Sequence, residues 1–147
     1  MIRAGCHCGA VRITMEPAPA WVLDCNCSIC RRYGVLWAYG WDRFTKQKLS
    51  LELVQGEEAL EPYIWGDKQL GFWRCKSCGC VTHHTVLEHP LPIRAVNARM
   101  FVDFDPASVT LQRSDNAHTG RFWSRPDAEI MKGGQPPMPP PGPDDWL

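Results

Sequence analysis

The chain has no surplus of either charge, no long apolar run and no sustained helical stripe, and each absence removes a class of function. Its 16 basic residues are matched by 16 acidic ones, so it lacks the cationic face with which a nucleic-acid binder counters phosphate. Eight cysteine thiolates on two Zn²⁺ ions would take the formal charge to −4, further still from that class. No apolar stretch approaches the roughly 20 residues of a spanning helix, so no membrane association is expected. The opening "MIRAGCHCGA" holds no leader-like apolar core, which places the protein in a reducing cytoplasm. There "NCS" at Asn26 to Ser28 is no glycosylation acceptor. Clustered cysteines in that compartment point to metal rather than disulfides.

What is present describes one globular domain: 147 residues, 44% of them hydrophobic, with seven tryptophans, enough to bury a core. Period-two alternation and β-branched or aromatic runs make it mainly β. Strands are predicted over Ala10 to Glu16, Val35 to Trp41, Lys48 to Val54, Leu60 to Trp65, Leu70 to Arg74, Val81 to Leu87 and Val109 to Gln112. Glycines in "VQGEE" and "WGDKQ" suggest hairpin turns, making Lys48 to Arg74 an antiparallel meander. Short helical turns are expected near Ser28 to Tyr33 and after Asp105. Residues 1–130 form the domain. Residues 131–147, with six prolines between Pro136 and Pro143, read as an extended tail lying on the body, with Trp146 as its anchor.

The cysteines fall into three groups: Cys6 and Cys8 in "CHCG", Cys25, Cys27 and Cys30 in "CNCSIC", and Cys75, Cys78 and Cys80 in "CKSCGC". Gly9 and Gly79 each follow a cysteine directly. A knuckle turns backbone N–H groups toward thiolate sulfurs, and glycine allows the positive φ of such a turn. Cys6, Cys8, Cys75 and Cys78 therefore read as one tetrahedral structural site that closes a long loop. The C-x-C-x2-C loop then stands alone, able to wrap three sulfurs around one face of an ion. An iron-sulfur cluster would want a fourth cysteine, and a thioredoxin-like reading lacks the βαβ context. Cys80 either completes the middle site or is a buried apolar thiol.

In order, "GCHCGAVRITME", "CNCSICRRYGVLW", "YIWGDKQLGFWRCKSCGC" and "RAVNARMFVDFD" resemble segments of the glutathione-dependent formaldehyde-activating enzyme family, to which centromere protein V is related. The resemblance covers roughly residues 5 to 105. It implies a β-tent of antiparallel sheets braced by zinc knuckles, with two zincs per chain. One is structural, on Cys6, Cys8, Cys75 and Cys78. The other, on Cys25, Cys27 and Cys30, is the reaction centre. It further implies a carbon-sulfur lyase-type activity like that of S-(hydroxymethyl)glutathione synthase, with a small thiol such as glutathione and a small aldehyde, formaldehyde, as partners. The rival reading keeps both zincs structural in a binding or scaffold module. The sequence specifies no oligomeric state.

Around the middle loop, Arg31 and Arg32 are candidates to hold a carboxylate of the thiol compound. Their alternative is a solvated or ion-paired role. Tyr33 and Trp37 either wall the pocket or pack the core. His83 and His84, adjacent on a predicted strand, must face opposite sides, so only one can serve a given site as acid or ligand. His7 reads as a knuckle residue, Arg94 and Arg99 as possible anion binders, and Asn97 as a brace for loop backbone.

Overall fold

The computed structural model describes residues 1–40, 48–66, 68–87, 93–103, 105 and 108–117, and the backbone of 121–122. In chain order the strands are β1 (Ile2–Gly5), β2 (Arg12–Glu16), β3 (Trp21–Cys25), β4 (Trp37–Tyr39), β5 (Ser50–Gln55), β6 (Leu60–Ile64), β7 (Leu70–Cys75), β8 (Val81–Val86), β9 (Ala95–Asn97), β10 (Thr110–Asp115) and β11 (Arg121–Phe122). One α-helix, α1 (Ser28–Tyr33), follows β3, and two 3-10 turns, Glu57–Ala59 and Ala98–Met100, punctuate the rest. The chain is mainly β, as the alternation pattern predicts.

Two compact units can be described. The first takes residues 1–19 and 37–104, and the second takes 20–36 with the described residues from 105 onward. The first unit contains an antiparallel sheet ordered β1-β2-β5. Its alternation is the one the sequence predicts. Ala4, Ile13 and Met15 are buried while Arg3, Arg12 and Glu16 face outward. Strands β4, β9, β8, β7 and β6 pair antiparallel in that order.

The expected meander holds for β6 and β7 only, joined through Gly66 at φ 62°. Strand β5 leaves it and pairs with β2 instead. The reason lies in two features. Leu51 and Leu53 stand opposite Met15 and Ile13, matching apolar positions across the ladder. Gly56, at φ 94°, opens a 3-10 turn rather than a hairpin. A Cβ there would lie 2.2 Å from the Ala10 carbonyl oxygen, so the chain crosses close against the start of β2.

Strand β8 carries the histidine pair, and the two rings do face opposite ways. His84 meets Trp37 edge-on at 4.7 Å and lies 5.7 Å from both Tyr39 and Phe72. His83 stacks on Trp73 at 5.9 Å and 8° between planes. Both are buried.

The second unit is built on a parallel pair, β3 with β10, with β11 antiparallel on the outer side of β10. Parallel pairing buries a continuous apolar strand, which suits Trp21, Val22 and Leu23, all buried. Alternation does not mark β3 as a strand, because such a run does not alternate. Helix α1 sits where a helical turn is expected and ends at Gly34 in the left-handed region, φ 63°. The expected turn after Asp105 and the proline-rich tail fall, wholly or in part, outside the described residues.

Candidate metal centres

The first centre is made by two knuckles of the same design. In one, the Cys6 N–H donates to the Val11 carbonyl at 3.1 Å and the Gly9 N–H to the Cys6 carbonyl at 2.9 Å. In the other, the Cys75 N–H donates to the Cys80 carbonyl at 2.9 Å and the Gly79 N–H to the Cys75 carbonyl at 2.8 Å. Gly9 and Gly79 have φ of 77° and 73°, the conformation that L side chains resist.

These turns bring the sulfurs of Cys6, Cys8, Cys75 and Cys78 within 4.8 Å of one another. Cys8 Sγ lies 3.6 Å from Cys6 Sγ and 3.7 Å from Cys75 Sγ. A disulfide would need about 2.05 Å. Four sulfurs at about 2.3 Å from a tetrahedral zinc would lie about 3.8 Å apart, so the spacing fits the ion. The Val11 N–H also donates to Cys6 Sγ at 3.3 Å, an N–H···S contact that fixes the direction of the sulfur. Cys78 is drawn down to about 5, chiefly by backbone N–H donation from Cys80.

The second centre belongs to β3 and α1. Cys25 ends the strand, Cys27 is the helix N-cap and Cys30 lies buried in its first full turn. Their sulfurs also fall within 4.8 Å of one another. The crowding has an electrostatic consequence. Cys27 is held well below the usual thiol range because Cys25 and Cys30 donate to it, while Cys30 is pushed up by the same two neighbours. Cys25 is raised as well, first by Cys27. Three sulfurs in contact cannot all ionise unless a cation shares the charge, which is the chemistry of a metal-binding set.

A polar turn after β10 closes on this centre. Asn116 Nδ2 donates to Cys25 Sγ at 3.3 Å. Beside it, Asn26 Nδ2 donates to Asp115 Oδ1 at 2.7 Å, and the Ala117 N–H donates to Asn26 Oδ1 at 3.0 Å. The sequence reading missed all of these residues. "SDNA" marks a turn, and nothing local connects it to a cysteine 91 positions earlier.

The remaining candidates are placed as follows. Arg31 is half-buried and Arg32 exposed, both in the last turn of α1. Arg32 Nη1 donates to the Ser28 carbonyl at 2.6 Å, so this guanidinium braces its own helix. Cys80 stands outside both sulfur groups and interacts with Cys78. Trp37 is packed in the core rather than at a surface. His83 bonds Thr82 Oγ1 through Nδ1 at 2.9 Å, and burial lowers its pKa to about 4. No histidine joins either cysteine group among the described residues. Arg94 lies 6.0 Å from the Tyr39 ring centre. The sequence predicts Asn97 to brace loop backbone; it donates instead to the carbonyl of Val81 at the start of β8, at 2.9 Å, and caps the second 3-10 turn by accepting from the Arg99 N–H at 3.2 Å.

No helix among the described residues is long and apolar enough to cross a membrane. Over residues 1–110 the chain matches the sequence model of the glutathione-dependent formaldehyde-activating enzymes. It is also similar to a Rhodobacter sphaeroides protein of known crystal structure. The two are 32% identical, with a TM-score of 0.54, over 71% of this chain and 92% of the other.

Proposed function

This chain belongs to the glutathione-dependent formaldehyde-activating enzyme family, and on that premise we propose that it is a zinc-dependent carbon-sulfur lyase-type enzyme. Its substrates would be a small thiol such as glutathione and a small aldehyde such as formaldehyde, as for S-(hydroxymethyl)glutathione synthase. The observation that carries the reading is the set of three mutually close sulfurs of Cys25, Cys27 and Cys30. Three protein ligands are what a catalytic zinc takes, whereas a structural zinc takes four. The chain supplies both kinds of set.

The reaction forms one C–S bond, opens the carbonyl π-bond and leaves the thiol proton on the new hydroxyl. Zinc on Cys25, Cys27 and Cys30 would supply a Lewis acid at which an incoming thiol ionises near neutral pH. The chain's own task is to hold and orient. Arg31 and Arg32, which directly follow Cys30 in α1, are the candidates to hold a carboxylate of the thiol compound. Cys6, Cys8, Cys75 and Cys78 would hold the structural zinc.

NMR exchange between formaldehyde, glutathione and their adduct tests the activity. The metal-loaded protein should accelerate exchange above the uncatalysed rate. No acceleration with two metals bound would reject glutathione as substrate. Cobalt-loaded protein whose second-site spectrum is indifferent to added thiol would favour the scaffold reading instead.

A further inference from the structure

We propose that Asn116 is a positioning residue of the three-cysteine centre, its carboxamide N–H aimed at Cys25 Sγ so that this ligand is oriented and its charge partly shared. The inference rests on the reading of Cys25, Cys27 and Cys30 as metal ligands. It does not depend on which reaction follows. Asn116 lies past the residues matched to the family, which end at 110.

The geometry is built from residue 26 outward. Asn26 directly follows Cys25. Its backbone N–H donates to the Ser114 carbonyl at 3.2 Å, its side-chain nitrogen to Asp115 and its side-chain oxygen accepts from Ala117. The residues on both sides of Asn116 are thus tied to the neighbour of Cys25, which leaves the Asn116 carboxamide facing the sulfur at 3.3 Å. Asn26 and Asp115 are only 5% and 7% exposed. Burying a carboxylate is costly unless its hydrogen bonds are made. An apolar pair would close the same turn at less expense but would not fix Asn116.

The four-cysteine centre shows what the contact does. There the Val11 N–H donates to Cys6 Sγ, also at 3.3 Å, so a backbone amide performs for Cys6 what a side-chain amide performs for Cys25. A donor on a ligating sulfur withdraws charge from it and fixes its direction. Ser114 adds a second polar atom on this side. It stands opposite Cys25 in the parallel ladder, and its buried hydroxyl has no hydrogen-bond partner among the described residues.

Cadmium NMR of the full chain tests the proposal, because each cluster gives its own resonance. The variants are Asn116→Asp, which keeps the shape and loses the donor, and Asn116→Ala. In both, the three-cysteine resonance should move while the four-cysteine resonance stays. Zinc affinity at the three-cysteine site, read by chelator competition, should fall roughly 10- to 100-fold. Unchanged resonances and affinity in both variants would overturn the proposal. Loss of the β3 and β10 amide signals in both would mark Asn116 as a prop for the fold and overturn it too. A parent chain that takes up one cadmium only would overturn the metal reading, and this inference with it.

Discussion

The backbone N–H of Cys75 donates to the carbonyl of Cys80 across 2.9 Å, so Cys80 serves the four-cysteine candidate metal centre through its main chain. The bond closes the turn in which Cys75 and Cys78 present their sulfurs. A cysteine is not required for that bond. Cys80→Ser should therefore leave metal content at the parent value and shift stability by less than about 1 kcal/mol. Metal analysis and a denaturant titration check this, and loss of a metal equivalent would show that its sulfur is needed.

Cys75→Ser removes one ligand from the four-sulfur set and is expected to cost one bound metal per chain. Because metal binding and folding are a single equilibrium in such sites, the unfolding free energy should fall by several kcal/mol, a part of the ~10–16 kcal/mol typical of a whole structural zinc site. Circular dichroism with elemental analysis reads both. A variant with full metal and an unchanged melt would contradict the bracing role.

Cys27→Ser should behave differently. It is expected to lose the second metal and all catalysis of thiol-aldehyde exchange, while the first metal stays bound. The contrast between the two serine variants separates bracing from chemistry. Equal loss of fold in both would remove the distinction.

His83 gives a pH signature. Its pKa is about 4 in the folded protein against 6.5 for the free side chain, because burial disfavours the charged ring. Below 6.5 the unfolded chain binds the proton first, so stability is present above that pH and is lost as pH falls toward 4. The loss is about 3 kcal/mol at 1.36 kcal/mol per unit. His83→Gln should flatten that part of the profile. Comparing parent and variant under the same metal loading cancels acid release of metal from the cysteines, and identical slopes would refute the assignment.

Two glycines should respond unequally to alanine. At Gly79 a Cβ meets nothing within 4 Å, so Gly79→Ala should cost only the left-handed backbone penalty, roughly 1–2 kcal/mol. At Gly56 the same atom would lie 2.2 Å from the Ala10 carbonyl oxygen. That backbone cannot yield cheaply, and Gly56→Ala should be the more damaging of the pair by denaturant midpoint.

The sequence makes legible what is local. Cysteine spacing and the glycines after Cys8 and Cys78 indicate the knuckles, alternation in "RITME" indicates a strand, and the β-branched residues of "VTHHTV" indicate a strand whose adjacent histidines face opposite sides. It does not disclose partners chosen at long range. Strand β5 looks like the first arm of a hairpin because Gly56 resembles a turn glycine, yet its apolar positions match β2 better. Strand β3 pairs parallel with β10, a choice no short pattern encodes. The Asn116 contact to Cys25 is hidden for the same reason, since an Asp-Asn pair after a strand is common turn chemistry.

Cys8 and Cys75 are 67 positions apart, and that distance is also an interval of time. A ribosome adds roughly 5–20 residues per second, so the amino-terminal half-site waits on the order of several seconds for its other half. During that wait Cys6 and Cys8 would offer a metal only two thiols, open to oxidants and to softer competing ions. Metal supply during synthesis, more than afterwards, should then set how much of the newly made chain matures.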